Sequence, residues 1–141
     1  MLALLVRHAV AGDRRKWSDD DRLRPLDRRG RRQASALPEA LSGFPVSRIL
    51  ASPAVRCVET VEPLAAALGI EVEETPVLAE GAGRSDVISL AAATGAGTVI
   101  CTHGDVCHAL VGHKRMPKGS IWVIDIDGHD VTLVRHIAAP G

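Results

Sequence analysis

Apolar runs and the polar stretches between them divide the chain into alternating strand and helix patterns. Leu2 to Val6 is an unbroken apolar run of the length that a parallel strand buried on both faces requires. Thr98-Val99-Ile100-Cys101-Thr102 is β-branched throughout its middle and is the next central-strand candidate. Val46 to Ala51 reads as a further short strand. Ile70 to Thr75 alternates apolar with acidic residues, as a half-exposed edge strand does. Near the C-terminus, Ile121 to Ile126 and Val131 to Arg135 flank Asp127-Gly128, a hairpin turn signal that predicts two antiparallel strands.

Helical periodicity fills the intervals. Asp27 is a good N-cap for a helix whose apolar stripe is Ala34, Leu37, Ala40 and Leu41, with Pro38 predicting a kink or a break in the helical assignment there. Ser52-Pro53 reads as a second helix start, Ser52 as cap and Pro53 as first helical residue. Val58, Val61, Leu64, Ala65 and Leu68 form its buried face, Pro63 interrupts it and Gly69 stops it. Shorter helices are expected over Val87–Thr94 and Val106–Val111. Strands alternating with helices predict one α/β domain over residues 1–141, its sheet mostly parallel and flanked by helices, with a C-terminal antiparallel hairpin.

Composition narrows the function classes. Formal net charge is zero, so no bulk attraction to nucleic acid or a membrane surface is expected, and aromatics at 2% leave no platform for base stacking. Cys57, Cys101 and Cys107 form an odd set that suits reduced thiols. The opening apolar run is too short to span a membrane and lacks a following cleavage pattern, so a cytoplasmic protein is expected. The Ala9–Pro25 connection is long, and Asp13 to Arg22 within it is almost fully charged. It is either a flap over a site or a solvated loop of paired charges, with Trp17 as the side chain that would anchor it.

Three predicted strands end in polar groups of matching kind. The first ends in Arg7-His8, the second in Ser52-Pro53 followed by Arg56, and the Thr98–Thr102 strand in His103-Gly104. Right-handed crossovers in a parallel sheet put these ends on one edge, where open α/β sheets bind ligands. Two arginines offer permanent charge and planar donors suited to phosphate. Two histidines offer nitrogen nucleophiles or proton carriers near neutral pH. Cys101, His103, Cys107, His108 and His113 could also be read as a metal cluster. The alternation of Cys101 away from the Thr102 face and the better use of His103 at a phosphate argue against that, so no metal is expected.

These residues resemble the motifs of the histidine phosphatase superfamily, the phosphoglycerate mutase-like fold. Arg7-His8-Ala9 resembles its R-H-G/A signature, Leu26-Asp27-x-x-Gly30-x-x-Gln33-Ala34 its L-T-x-x-G-x-x-Q-A segment, Ser52-Pro53-x-x-Arg56-x-x-x-Thr60 its S-P-x-x-R-x-x-x-T segment, and Thr102-His103-Gly104 its late H-G element. Asp27 departs from the usual threonine. The compact size and Arg24-Pro25-Leu26 look most like the SixA branch of phosphohistidine phosphatases. The chain is also similar to the phosphatase-like domain of mycobacterial MutT-type nudix hydrolases.

The resemblance implies a three-layer domain and a reaction without cofactor or metal. His8 would attack phosphorus, and Arg7, Arg56, His103 and Gly104 would hold the phosphoryl oxygens. The nearby arginines should keep His8 neutral. The partner would be a phosphorylated small molecule or a phosphohistidine protein, with phosphohistidine or phosphoanhydride substrates expected first. Glu80 lies near the place of a glutamate that, in larger family members, protonates the leaving group. It would make the chain a general phosphomonoesterase, or it is a solvated loop residue. A weakly catalytic phosphate-binding module is a further alternative, and a mutase ranks last.

Overall fold

The computed structural model describes residues 1–141. Six strands, β1 (Leu2–Arg7), β2 (Arg48–Ala51), β3 (Val72–Glu74), β4 (Thr98–Thr102), β5 (Ile121–Asp127) and β6 (Asp130–Ile137), alternate with four helices, α1 (Arg28–Ala40), α2 (Val55–Leu68), α3 (Arg84–Thr94) and α4 (Gly104–Val111). The strands form one sheet in the order β3-β2-β4-β1-β5-β6. The pairs β1–β4, β4–β2 and β2–β3 are parallel, whereas β5 runs antiparallel to β1 and β6 antiparallel to β5.

The apolar run of β1 serves both faces of the sheet. Ala3 and Leu5 pack with Val87, Ile88 and Ala91 of α3 and Val106 and Leu110 of α4. Leu4 and Val6 pack on the other side with Leu37 of α1 and Val61 and Leu64 of α2. Fully burying one leucine or valine contributes roughly 1.5–3 kcal/mol, so a run apolar at every position is stable only between two helical layers. The three-layer α/β architecture expected from the sequence is the one observed. No helix is long and apolar enough to cross a membrane.

Local details depart from expectation. Helix α2 begins at Val55 with Ala54 at its cap and no side-chain capping bond, not at Ser52-Pro53. The Ser52 hydroxyl still accepts a bond from the Ala54 N–H, but it is directed to the ring of His103. Neither internal proline ends its helix early. Pro38 sits in the last turn of α1, and α2 continues through Pro63 to Leu68, where Gly69 at φ 68° makes the left-handed stop. Trp17 is not a buried anchor. Its side chain stays 36% exposed and its Nε1 donates to the Asp20 carbonyl within the loop.

The loop after β1 is instead fixed by backbone packing. Ala11 bridges Leu26, and Leu26 is buried with Ala9 and Ala34. Asp27 caps α1 by accepting from the Gly30 N–H, as expected, and its own N–H donates to the Val10 carbonyl. A Cβ at Gly30 would lie 1.9 Å from the Val10 carbonyl oxygen, so only glycine lets the loop backbone lie on the helix. Gly30→Ala is expected to destabilise the protein by about 1–3 kcal/mol, read as a lowered midpoint in urea unfolding. An unchanged midpoint would show that the loop does not rest on α1 in this way.

Candidate active site

The site is assembled by hydrogen bonds that carry the sheet one residue past its strands. The His8 N–H donates to the Thr102 carbonyl and the Ser52 N–H to the Cys101 carbonyl, each at 3.0 Å. Because β4 lies between β1 and β2, His103 is set between His8 on one side and Ser52 on the other. The His8 and His103 rings meet edge to face with centroids 5.6 Å apart.

The His8 ring is 6% exposed, and its Nδ1 lies 2.8 Å from the Ala9 carbonyl oxygen. A carbonyl only accepts, so Nδ1 carries the hydrogen and Nε2 the lone pair. Ala9 is held in turn: its N–H donates to the Thr60 hydroxyl, which donates to the Arg56 carbonyl on α2. Gln33 accepts from the Val10 N–H in the same way. Burial is the largest cause holding the His8 pKa down, at about 3 against an ordinary 6.5. The Ala9 carbonyl opposes the shift, and Arg56, His103 and Arg7 add to it. The expectation that arginines keep this ring neutral thus identifies a smaller contributor, because the ring is nearly cut off from water.

Arg7, on the last residue of β1, donates from Nη1 to the Met116 carbonyl and lies against the start of α4. A Cβ at Gly104 would be 2.7 Å from its Nη2, so Gly104 makes room for the guanidinium. Arg56 is 0% exposed. Its Nη1 donates to the Asp21 carbonyl, and its Nη2 contacts Asp21 Oδ2 at 3.0 Å, Glu80 Oε1 at 2.6 Å and His103 Nδ1 at 3.4 Å. The Nε atoms of Arg7 and Arg56 are the two buried side-chain polar atoms without a hydrogen-bond partner in the protein. His103 is oriented from behind, its Nε2 at 2.8 Å from the Ser52 hydroxyl and 3.6 Å from Cys57 Sγ. Its Nδ1 faces Glu80 Oε1 at 3.8 Å.

Arg7, His8, Glu80, His103 and Gly104 share one cavity of about 610 Å³. Arg56 lines an adjoining cleft of about 260 Å³, and Glu80 and His103 form the wall between the two. The residues expected at the phosphate, Arg7, His8, Arg56, His103 and Gly104, and Glu80 therefore meet, with Arg56 reaching the cavity through its contacts with Glu80 and His103. Cys57 lies behind His103, but Cys101 and Cys107 are not gathered into one cluster with the histidines. Cys101 packs into the core beneath α1 and α2, and Cys107 into the core on the opposite face of the sheet.

Sequence reasoning missed residues that hold or line the site. Asp21, in a single helical turn (Asp21–Leu23), shares its carboxylate among Arg24 at 3.0 Å, Arg56 at 3.0 Å and Arg14 at 3.4 Å. Burial pushes this carboxyl up, but the Arg24 hydrogen bond and the charges of Arg56, Arg24 and Arg14 hold it below its usual range. The charged loop is thus bound to the site. Its paired charges were visible in the sequence, but their partner Arg56 was not. Lys118 also lines the cavity. Its only sequence signal is its place before β5, which matters because β5 runs antiparallel to β1 and starts beside its end, Ile121 opposite Val6.

Solved structures share this fold at low identity. The protein histidine phosphatase SixA complexed with tungstate superposes with a TM-score of 0.79 at 20% identity, covering 97% of this chain and 96% of its own. The alpha-ribazole phosphatase from Shigella flexneri gives 0.74 at 18% identity, covering 95% of each chain. In sequence, 97% of the chain aligns at 36% identity with an 8-oxo-(d)GTP phosphatase of Mycolicibacterium smegmatis, of which it spans only 48%, about half the length. The family model for the histidine phosphatase superfamily (branch 1) matches residues 3–87, a stretch that takes in Arg7, His8, Arg56 and Glu80. With its matched motifs meeting at one sheet edge, the chain belongs to the histidine phosphatase superfamily, branch 1.

Proposed function

We propose that this protein is a phosphatase that works through a covalent phosphohistidine at His8. The observation that carries the reading is the His8 Nε2 lone pair, free of protein partners, in a cavity shared with Arg7 and His103 and bordered by Arg56. The Arg7 guanidinium in the same cavity, given room by Gly104, supports the placement of an oxyanion there. In the first step the Nε2–P bond forms as the bond from phosphorus to the leaving group breaks, and the electron pair departs with the leaving group. In the second step water attacks phosphorus, the N–P bond breaks, and inorganic phosphate is released with the imidazole neutral again. Arg7, Arg56 and His103 hold the non-bridging oxygens, supplying the charge stabilisation on which phosphoryl transfer chiefly depends. An entering oxygen displaces Glu80 Oε1 from Arg56 Nη2.

The first substrate reading is SixA-like: phosphohistidine proteins or phosphoanhydrides, whose leaving groups need little help. The family membership and the SixA fold likeness support it, as does the name of the M. smegmatis relative, an 8-oxo-(d)GTP phosphatase. A second reading, general phosphomonoester hydrolysis, rests on Glu80. Its carboxylate lies in the cavity wall between Arg56 and His103, within reach of a departing alkoxide.

Incubation with a phosphoryl donor and acid quench is expected to leave acid-labile phosphate on His8. His8→Ala is expected to lose about a thousandfold or more of its turnover of p-nitrophenyl phosphate, with a chelator leaving the wild-type rate unchanged. A fully active His8→Ala variant would remove the nucleophile. Glu80→Gln is expected to slow p-nitrophenyl phosphate and an alkyl phosphate alike. A selective loss on the alkyl ester would establish Glu80 as the acid and favour the second reading. The pH dependence of stability has a defined sign. Between pH 6.5 and about 3 the unfolded His8 is protonated and the folded one is not, so stability falls as pH drops through that window, by about 1.4 kcal/mol per unit. His8→Gln is expected to flatten the profile in urea unfolding at stepped pH. Parallel profiles would refute the neutral buried ring.

A further inference from the structure

Besides Arg7, and against the carboxylates of Asp13, Glu80 and Asp105, the cavity carries further cations. Arg14, Arg24 and Lys118 line the same space. Arg24 is 5% exposed and fixed by Asp21 and by the Gly12 carbonyl, and Arg14 is tied to Asp21 and Glu80. Lys118 differs from these, since its ammonium has no carboxylate partner and no hydrogen bond within the protein. Its backbone is nonetheless pinned beside the nucleophile. The next residue, Gly119, donates to the carbonyls of both Arg7 and His8 at 3.0 Å, and the Lys118 carbonyl accepts from Gln33 Nε2. Gly119 holds a φ of 84°, and a Cβ there would press on the Gln33 amide at 3.0 Å, so the turn has little freedom. Desolvation lowers the Lys118 pKa first, followed by the repulsion of Arg7, Arg24 and Arg14, with the more distant charge of Asp27 opposing the shift. An unpaired cation held against like charge is what a site for a second anion looks like.

We propose that Lys118, with Arg14 and Arg24, forms a second anion subsite, and that the preferred substrate is a phosphoanhydride whose terminal phosphoryl group passes to His8 while the adjacent phosphate rests on Lys118. The proposal rests on the phospho-His8 reading and narrows its substrate class. As the Nε2–P bond forms, the bridging P–O bond breaks and its electron pair stays on the departing phosphate. The Lys118 ammonium neutralises that charge, so no proton donor is required. The same ammonium gives no such help to a phosphohistidine, whose protonated ring departs as neutral imidazole with no negative charge to neutralise, which sets an anhydride ahead of phosphohistidine as the fitting substrate.

The test compares kcat/KM of wild type, Lys118→Met and Lys118→Arg on inorganic pyrophosphate, a nucleoside diphosphate, a phosphohistidine peptide and p-nitrophenyl phosphate. Lys118→Met is expected to lose about ten- to hundredfold more on at least one of the two anhydrides than on either monophosphoryl substrate, and Lys118→Arg to restore most of it. The anhydride turned over faster by wild type identifies the source of the second phosphate. Equal losses on all four substrates, or a wild type inert to both anhydrides, would overturn the subsite. Because p-nitrophenyl phosphate reports on His8 independently, its undiminished turnover by His8→Ala would instead overturn the phospho-His8 reading, whereas its loss with intact anhydride turnover would overturn the subsite alone.

Discussion

The bond from the His8 N–H to the Thr102 carbonyl governs the geometry of this molecule. It extends a parallel ladder one residue beyond the end of β1, and its counterpart from Ser52 to Cys101 does the same beside β2. The ladder fixes where the two side chains start, and the bonds from His8 Nδ1 to Ala9 and between His103 Nε2 and Ser52 fix their rings, so the imidazoles sit 5.6 Å apart. The residues that tighten this edge, Thr60, Gln33 and Gly30, act on backbone amides and carbonyls around His8 and do not line the cavity. In the proposed mechanism they would hold the His8 ring within the tolerance that in-line displacement demands.

Holding charge at such an edge is costly. Arg56 has no exposure to solvent, and a buried guanidinium is tolerated only with partners close by. Asp21 and Glu80 provide them, and they do so from two different loops, one between β1 and α1 and one between β3 and α3. The same contacts bring both loops to the cavity. Charge compensation and the shape of the site are therefore one arrangement. A phosphoryl group that takes up Arg56 has to compete with a carboxylate already in place, which makes Glu80 sensitive to what occupies the cavity whether or not it moves a proton.

Much of this was legible in the amino-acid order alone. Doubly buried strands announce themselves as unbroken apolar runs, Asp127-Gly128 announces its hairpin, and the four motifs placed Arg7, His8, Arg56 and His103 because each sits at a strand end or in the first turns of a helix. Those signals are local, and local physics decides them. Tertiary structure alone decided that Ser52 orients His103 and does not cap α2, that Asp21 is shared by three arginines, and that Lys118 stands beside His8 across most of the chain. Burial likewise outranks charge in keeping His8 neutral, a balance that depends on how much water the folded chain excludes. Most of these turn on distances between residues far apart in sequence, and only the folded sheet, with β4 between β1 and β2 and β5 antiparallel to β1, brings them within reach.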